Sequence, residues 1–313
     1  MKPLMWAAYV LAFGAAAWGL SHLRAGLRER AAEAAFPPSG QFVEVGTTRV
    51  HYVTKGEGPD VVLIHGMSGN LRDMTFSLVD RLAQDFRVTA FDRPGMGWSD
   101  RPKDAPASPR AQAALVAEVI DTLNLDKPLV VGHSLGGAIA MCLALDFPEK
   151  IRGLALLAPL TMPTQAPAEV FAGLNLRRAW IRRLVSETLA IPTTIRMAEQ
   201  NMAAIFGPDA VPAEYAVQGG GMLGLRPVSF RNTSRDFLAS GKDLGFMVKG
   251  YAGLQVPVSI LFGRQDQVLD AAVHGEALVA KHPHITLHQI DGGHMLPLTH
   301  IAQTLEFIRK YSQ

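Results

Sequence analysis

A serine flanked by glycines carries the clearest chemical signal in the chain. Gly132–Gly136 reads Gly-His-Ser-Leu-Gly, a G-x-S-x-G pentapeptide with Ser134 at its centre. A short apolar run, 129–131, precedes it, and a helical pattern that ends before Pro148 follows. The glycines allow a sharp turn from strand into helix, which would expose the serine hydroxyl beside the N–H groups of the helix N-terminus. We predict that Ser134 is a nucleophile; a small buried residue in such a turn is the alternative.

A serine hydroxyl is a weak nucleophile at neutral pH and needs a base, which a third group must orient. Two residues of the required types, Asp266 and His294, each follow the end of a later apolar strand. The carboxyl ends of parallel strands gather at one edge of a sheet, so Ser134, Asp266 and His294 should converge there. Asp270 and Asp291 are rivals for the role of Asp266.

The remaining pattern predicts an α/β fold. Two alternating segments flank a Gly-Thr turn and indicate an edge hairpin, and later apolar runs alternate with helical patterns. Such alternation gives a mostly parallel sheet with right-handed crossovers and helices on both faces. The eight predicted strands are 41–45, 48–53, 61–64, 88–91, 129–131, 153–158, 256–262 and 285–290. The alternation breaks over 162–253, where helical stretches predict an insertion above the carboxyl edge of the sheet.

An uncharged run of 17 residues, Leu4–Leu20, lies near the start of the chain. A helix of that length spans roughly 26 Å, close to the ~30 Å of a bilayer core. We therefore predict an N-terminal transmembrane helix that anchors the protein in a membrane. A cleaved signal peptide, which would mean export, and an ordinary buried helix are the alternatives. Arg24, Arg28 and Arg30 outweigh Lys2, which favours a cytoplasmic globular part for an anchored protein.

Charge and cysteine content narrow the possible partners. The formal net charge is +2, and residues 1–40 alone account for it. The rest of the chain is formally neutral, so no basic surface predicts nucleic-acid binding. Scattered histidines and a single cysteine, Cys142, predict no metal, no cofactor and no internal disulfide. The arginine-rich stretch 177–183 is typical of a solvated helix face; contact with lipid headgroups or binding of an acidic substrate are alternatives.

These motifs, in this order, resemble the α/β-hydrolase fold family over roughly residues 41–311. The matching stretches are Leu63–Gly66, Asp92–Ser99, Gly132–Gly137, Gly263–Asp266 and Gly292–His294. The resemblance implies a catalytic triad of Ser134, Asp266 and His294, in the family's chain order. It also implies an oxyanion hole formed by the backbone N–H groups of Met67 and Leu135, and a helical cap over the substrate pocket.

Four polar residues in or near these motifs are expected to have structural roles. We expect His65 to brace the oxyanion loop and His133 to pack or to orient a loop. Asp92 and Arg93 should tie their loop to the core. None of the four is expected to carry out the chemistry.

The predicted domains are a membrane anchor or signal peptide (1–23), a linker (24–40), an α/β-hydrolase core (41–161 and 254–313) and a helical cap (162–253). The predicted function is hydrolysis of an ester or related acyl bond in a lipophilic small molecule, through an acyl-enzyme on Ser134. Acyl transfer, C–C bond hydrolysis and cofactor-free perhydrolysis are alternatives for the same triad. A non-catalytic binding module tethered to the membrane is the alternative outside catalysis.

Overall fold

The computed structural model describes residues 2–163 and 168–312, and one eight-stranded sheet organises them. The strands are β1 (Gln41–Val45), β2 (Thr48–Lys55), β3 (Asp60–Ile64), β4 (Arg87–Phe91), β5 (Leu129–His133), β6 (Gly153–Leu157), β7 (Val258–Gly263) and β8 (Ile285–Ile290). Their order across the sheet is β1-β2-β4-β3-β5-β6-β7-β8. β2 runs antiparallel to both β1 and β4, and β3 to β8 are parallel. The predicted eight-stranded, mostly parallel sheet is confirmed.

Helices precede the sheet, cover it and interrupt it. They are α1 (Lys2–Ala35), α2 (Arg72–Ser77), α3 (Val79–Leu82), α4 (Pro109–Thr122), α5 (Leu135–Asp146), α6 (Ala179–Thr188), α7 (Ala190–Arg196), α8 (Ala198–Phe206), α9 (Tyr215–Gln218), α10 (Gly221–Gly224), α11 (Pro227–Ser240), α12 (Leu244–Gly250), α13 (Ala277–Lys281), α14 (Leu296–Thr299) and α15 (Ile301–Lys310). Short 3₁₀ turns at Pro148–Lys150, Glu169–Leu174 and Tyr251–Gly253 and a π-helical turn at Ala272–Glu276 complete the described elements.

The sheet is buried on both faces, which explains why its central strands are apolar at most positions. In β3, Val62 and Ile64 pack into a cluster with residues of α4 and α5. Val61 and Leu63 point the other way, into a cluster with residues of α2, α3 and α15. Successive side chains of a strand face opposite sides, so two covered faces require apolar residues throughout.

The described residues between β6 and β7 form helices and 3₁₀ turns and no strand. This is the segment in which a helical cap was predicted, and its assignment to residues 162–253 stays a prediction. The end of the predicted cap, residue 253, differs from the packing in one detail. Leu244 and Met247 of α12 belong to the cluster around α5, so the chain has already returned to the core before residue 253.

The N-terminal segment is one long helix, α1, and its predicted role as a transmembrane helix is wrong. Among residues 2–163 and 168–312, no helix combines the length and the apolar character that crossing a membrane requires. Eight of the 17 residues of Leu4–Leu20 are alanine or glycine, which contribute little apolar surface. The second half of α1 lies against the protein instead: Trp18 Nε1 donates a hydrogen bond to Glu187 at 3.2 Å, and Ala25 and Ala32 are buried.

The same helix extends through most of the predicted linker, residues 24–40, and ends at Ala35. Alanine, arginine, glutamate and leucine dominate this stretch and all favour the helix. The chain leaves the helix just before Pro37 and Pro38, as expected, because a proline disfavours helical geometry in the residue before it.

Candidate active site

The turn between β5 and α5 presents Ser134. Its backbone has φ +54° and ψ −117°, in a region that residues with a Cβ rarely occupy. Two hydrogen bonds hold this conformation: the Ser134 N–H donates to Leu157 O, and the Leu160 N–H donates to Ser134 O, both at 3.0 Å. The nucleophile predicted from the pentapeptide therefore lies on a sharp strand-to-helix turn tied to the neighbouring strand.

The two outer glycines of the pentapeptide are required by close packing. A Cβ on Gly132 would stand 2.5 Å from the carbonyl oxygen of Gly136, and one on Gly136 would stand 2.3 Å from the carbonyl oxygen of Ile64. Both distances are well inside van der Waals contact, so a larger residue at 136 would push the turn away from β3, and one at 132 would collide with the start of α5. This close approach brings the start of α5 against the loop that follows β3.

The loops after β7 and β8 bring Asp266 and His294 into direct contact. His294 Nδ1 lies 2.7 Å from Asp266 Oδ2, and the two side chains are 4% and 0% exposed. The other carboxylate oxygen, Asp266 Oδ1, accepts hydrogen bonds from the N–H groups of Val268 and Leu269 at 2.8 and 2.9 Å. These bonds fix the carboxylate, and the carboxylate in turn orients the imidazole with its Nε2 edge free.

The rival carboxylates take other partners. Asp270 Oδ1 accepts the N–H of Ala272 at 2.8 Å, and Asp291 pairs with Arg264 on the surface at 3.3 Å with its side chain 83% exposed. Among the described residues, Asp266 is the carboxylate that hydrogen-bonds His294.

His133 connects the serine turn to the His294 loop. The rings of His133 and His294 lie 4.9 Å apart, and His133 Nε2 lies 3.1 Å from the His294 carbonyl oxygen. Burial, followed by the nearby His294, lowers the pKa of His133 to about 3. His133 is therefore neutral at physiological pH and donates from Nε2 to that carbonyl. This agrees with its predicted role as a residue that orients a loop.

The contact between the serine and the imidazole stays a prediction. Within the described part of the chain, the structure contains no hydrogen bond between the Ser134 hydroxyl and His294. Catalytic hydrogen bonds are often long in a free enzyme and tighten when substrate binds. The structure thus joins two of the three predicted triad residues directly and brings the third close through its neighbour, His133.

The predicted oxyanion-hole donors flank the serine turn. Gly66, the residue before Met67, lies so close that a Cβ on it would stand 3.2 Å from the Ser134 Cβ. Leu135 begins α5, directly after Ser134. Neither the Met67 N–H nor the Leu135 N–H donates to another group of the described chain. Two free backbone N–H groups beside a serine are suited to bind a negatively charged oxygen.

Arg93 fixes the peptide that precedes Met67, a role that no sequence pattern indicates. Its buried guanidinium donates to the carbonyl oxygens of His65 and Gly66 at 3.1 and 2.9 Å. In a trans peptide the N–H points opposite to the preceding C=O. Arg93 therefore directs the Met67 N–H away from itself. The sequence placed Arg93 in a Gly-rich loop and offered no signal for the carbonyls that it would meet.

His65 braces the same loop, as predicted. Its Nε2 accepts the backbone N–H of Arg93 at 3.0 Å, so Nδ1 carries the proton and donates to the Gly66 carbonyl at 2.9 Å. Burial, followed by the charge of Arg93, lowers the pKa of His65 well below its ordinary value. Asp92 also acts as expected: its carboxylate accepts hydrogen bonds from the N–H groups of Leu71 and Trp98.

A buried acid joins the oxyanion loop to the helical segment between β6 and β7. Asp73 accepts the Tyr215 hydroxyl at 2.8 Å and the Asn70 N–H at 3.3 Å, while Asn70 Nδ2 donates to Gly219 O at 3.2 Å. Burial raises the pKa of Asp73 to about 7. No sequence motif marked these residues, because Asp73 and Tyr215 are 142 positions apart.

Apolar side chains pack around the residue that follows His294. Phe206 of α8, Met295 and Leu298 form a buried cluster, against which Phe76 of α2 and Tyr215 pack. The loop that carries His294 lies close to the end of α8: a Cβ on Gly293 would stand 2.4 Å from the carbonyl oxygen of Gly207. A buried apolar cluster therefore adjoins the loop that carries the candidate base.

The chain belongs to the family described as alpha/beta hydrolase fold, whose sequence profile matches residues 59–301. This family membership agrees with the sheet, with the turn at Ser134 and with the order of the candidate residues along the chain.

Curated relatives share different portions of the chain. A poly(3-hydroxyalkanoate) depolymerase of Ectopseudomonas oleovorans is 25% identical over 264 residues, which cover 81% of this chain and 84% of the relative. The dihydrolipoyllysine-residue acetyltransferase component of an acetoin cleaving system, from Cupriavidus necator, is 40% identical over 121 residues. That match covers 38% of this chain and 32% of the relative, about a third of its length.

Solved structures show the same fold. A putative alpha/beta hydrolase from Nostoc sp. PCC 7120 superposes with a TM-score of 0.71 at 23% identity, covering 87% of this chain and 96% of the other. At this identity the likeness concerns the fold alone.

Proposed function

We propose that the protein is a serine hydrolase that cleaves an ester or related acyl bond. The observation that carries this proposal is the 2.7 Å hydrogen bond between Asp266 and His294 at the strand ends next to the Ser134 turn. A buried, fixed carboxylate on Nδ1 selects the imidazole tautomer whose Nε2 can accept a proton from a serine.

In the proposed mechanism His294 removes the proton of Ser134 as the hydroxyl attacks the acyl carbon. Asp266 stabilises the imidazolium that results. The tetrahedral oxyanion accepts hydrogen bonds from the Met67 and Leu135 N–H groups, each typically worth about 3 kcal/mol of barrier. His294 then returns the proton to the leaving alcohol, and water, activated by the same imidazole, hydrolyses the acyl-enzyme.

A lipophilic acyl group is the proposed substrate class. The cluster of Phe206, Met295 and Leu298 next to the His294 loop supports it, because an apolar environment near the site favours a hydrocarbon chain over a charged one. The depolymerase among the relatives acts on a polyester by its name, which also supports an ester as the bond cleaved.

The test is covalent labelling of Ser134 by a fluorophosphonate probe, combined with hydrolysis of p-nitrophenyl esters of increasing chain length. The wild-type protein should label and should prefer longer acyl chains. Ser134→Ala should abolish labelling and lower turnover roughly 10⁴- to 10⁶-fold, with an unchanged thermal unfolding curve. A wild-type protein that neither labels nor hydrolyses any ester would refute the proposal and leave a non-catalytic module.

Acyl transfer is the second candidate, favoured by the acetyltransferase in the name of one relative. It differs only in the group that takes the acyl chain from Ser134. Hydrolysis in the presence of increasing glycerol or a short amine distinguishes the two: transfer products that outcompete free acid in water would favour the acyltransferase.

A further inference from the structure

The outward side of α1 carries an apolar stripe that the rest of the described chain leaves uncovered. Its members are large apolar residues spaced by three, four or seven positions, so they share one face of the helix. Each is at least half exposed: Met5, Tyr9, Phe13, Leu20, Leu23 and Leu27. Single exposed apolar residues are ordinary, but a continuous stripe of this length marks an interaction surface.

The opposite side of α1 is already occupied. Trp18 bonds to Glu187 of α6, and the Glu33 carboxylate pairs with Arg226 at 3.1 Å. Ala25 and Ala32 are buried. The helix therefore has one face seated on the protein and one face turned outward.

A second pair of exposed apolar residues lies on α6, the helix next to α1. These two helices pack against each other, and α6 exposes Trp180 and Leu184, which lie one turn apart with 62% and 40% of their surface free. We define the α1–α6 surface as the six stripe residues of α1 together with Trp180 and Leu184.

The fully exposed charges that flank this surface are arginines, while Glu29, between Arg28 and Arg30, is partly buried near Arg226 and Arg231. Arg24, Arg28 and Arg30 on α1 and Arg177 and Arg178 before α6 are exposed. None of these five forms an ion pair within the described residues. The neighbouring acids point inward: Glu33 pairs with Arg226, and Glu187 is 5% exposed between Arg183 and Trp18.

We propose that the α1–α6 surface docks on an anionic lipid bilayer, with α1 lying in the plane of the headgroups and not crossing them. An apolar stripe flanked by arginines is the arrangement that inserts about 5–10 Å into an anionic interface. Each nearby arginine adds attraction to a negatively charged leaflet. A second copy of the chain fits less well, because a symmetric contact would place the same arginines opposite each other.

The test is co-sedimentation of the full chain with vesicles. One vesicle type is pure phosphatidylcholine, and the other contains one part phosphatidylglycerol to two parts phosphatidylcholine. The protein should bind the second type at low salt and lose most of that binding at ~0.5 M salt, where screening is strong. Vesicle binding does not depend on hydrolysis, so this test stands apart from the proposed function.

Two variants separate the apolar and the charged contributions. Phe13→Gln/Leu23→Gln/Trp180→Gln removes part of the apolar surface, and Arg24→Gln/Arg28→Gln/Arg30→Gln removes charge. Each should lower the partition coefficient onto the anionic vesicles about tenfold or more. Val273→Gln and Lys249→Gln/Lys281→Gln/Lys310→Gln change exposed residues outside the surface and should bind as the wild type does.

Three results would overturn the proposal: no vesicle binding, equal binding to both vesicle types at both salt concentrations, or variants that bind like the wild type. Size-exclusion chromatography of every variant accompanies the assay and confirms that each is folded. A full chain that dimerises, and becomes monomeric in the apolar variant without any vesicle binding, would assign the surface to a second copy instead.

Discussion

The guanidinium of Arg93 donates a hydrogen bond to the carbonyl oxygen of Gly66 at 2.9 Å. Together with the hydrogen bond from His65 Nδ1 to the same oxygen, also at 2.9 Å, it sets the orientation of the peptide whose other end is the Met67 N–H. A side chain 27 positions along the chain thus holds a predicted oxyanion donor in place before substrate arrives, and such preorganisation is what makes a donor effective. The other end of the guanidinium is anchored by Asp236, at 2.8 Å, in the helix α11.

Arg93→Lys should lower kcat roughly 10- to 100-fold with little change in KM. Lysine keeps the charge but loses the fork that spans two carbonyls, so the Gly66–Met67 peptide gains freedom, and the hydrogen bond affected matters chiefly in the transition state. Steady-state kinetics on a p-nitrophenyl ester measure this. Arg264→Lys, at a surface arginine near Asp266, is the matched control and should change neither constant. An unaltered kcat in a folded Arg93→Lys protein would show that the peptide is held by other contacts.

Asp266→Asn should lower kcat roughly 10³- to 10⁴-fold while the protein stays folded. The amide presents an N–H where His294 needs an acceptor, so the imidazole is held in the wrong tautomer. The rate of fluorophosphonate labelling should fall in parallel. Asp291→Asn and Asp270→Asn change the rival carboxylates and should retain wild-type rates. Loss of activity in either rival variant, with Asp266→Asn active, would reassign the orienting carboxylate.

Gly136→Ala should destabilise the fold by about 1–3 kcal/mol or more and reduce labelling of Ser134, because the new methyl group would overlap the Ile64 carbonyl. Gly245→Ala in α12 is the control: nothing lies within 4 Å of a Cβ at that position, and the helix should gain up to about 1 kcal/mol. Urea unfolding measures both. Equal stabilities would mean that the turn can move away from β3 at little cost.

Asp73→Asn should remove a pH dependence of stability. The folded state raises the pKa of Asp73 to about 7 from 3.8, so between these values the folded protein binds a proton that the unfolded chain has lost. The free energy of unfolding of the wild type should therefore fall as pH rises through this window, by up to about 1.4 kcal/mol per pH unit, relative to the variant. Urea titrations from about pH 4.5 to 8 test this. Parallel curves for wild type and variant, or the same change in Asp80→Asn on the surface, would contradict it.

The sequence predicted those parts of the structure that are determined by a few neighbouring residues. Apolar strands, the glycines around Ser134 and the chain order of Asp266 and His294 gave the sheet and the candidate residues, because each depends on a few neighbouring positions. Arg93, Asp73 and Tyr215 act through partners far along the chain, and only the fold brings those partners together. Periodicity could not predict them.

The N-terminal helix shows a second limit of prediction from sequence. The uncharged run 4–20 indicated a span by length and lack of charge, but a one-dimensional pattern does not show which face of a helix meets the protein. Trp18 has its partner, Glu187, 169 positions away. The structure shows that contact, and it makes α1 a component of the folded protein from about its midpoint onward.

This seating of α1 has a practical consequence for anyone who shortens the protein to ease its purification. A protein that begins at Gly40 would lack Glu33, the ion-pair partner of Arg226, and Trp18, the hydrogen-bond donor to Glu187. It would also expose the apolar surface that Ala25 and Ala32 cover. The trimmed protein could retain every candidate catalytic group and still differ in substrate preference, since the helices that lose these contacts belong to the segment between β6 and β7, in which a cap is predicted. A substrate profile measured on such a fragment would therefore not represent the full-length protein.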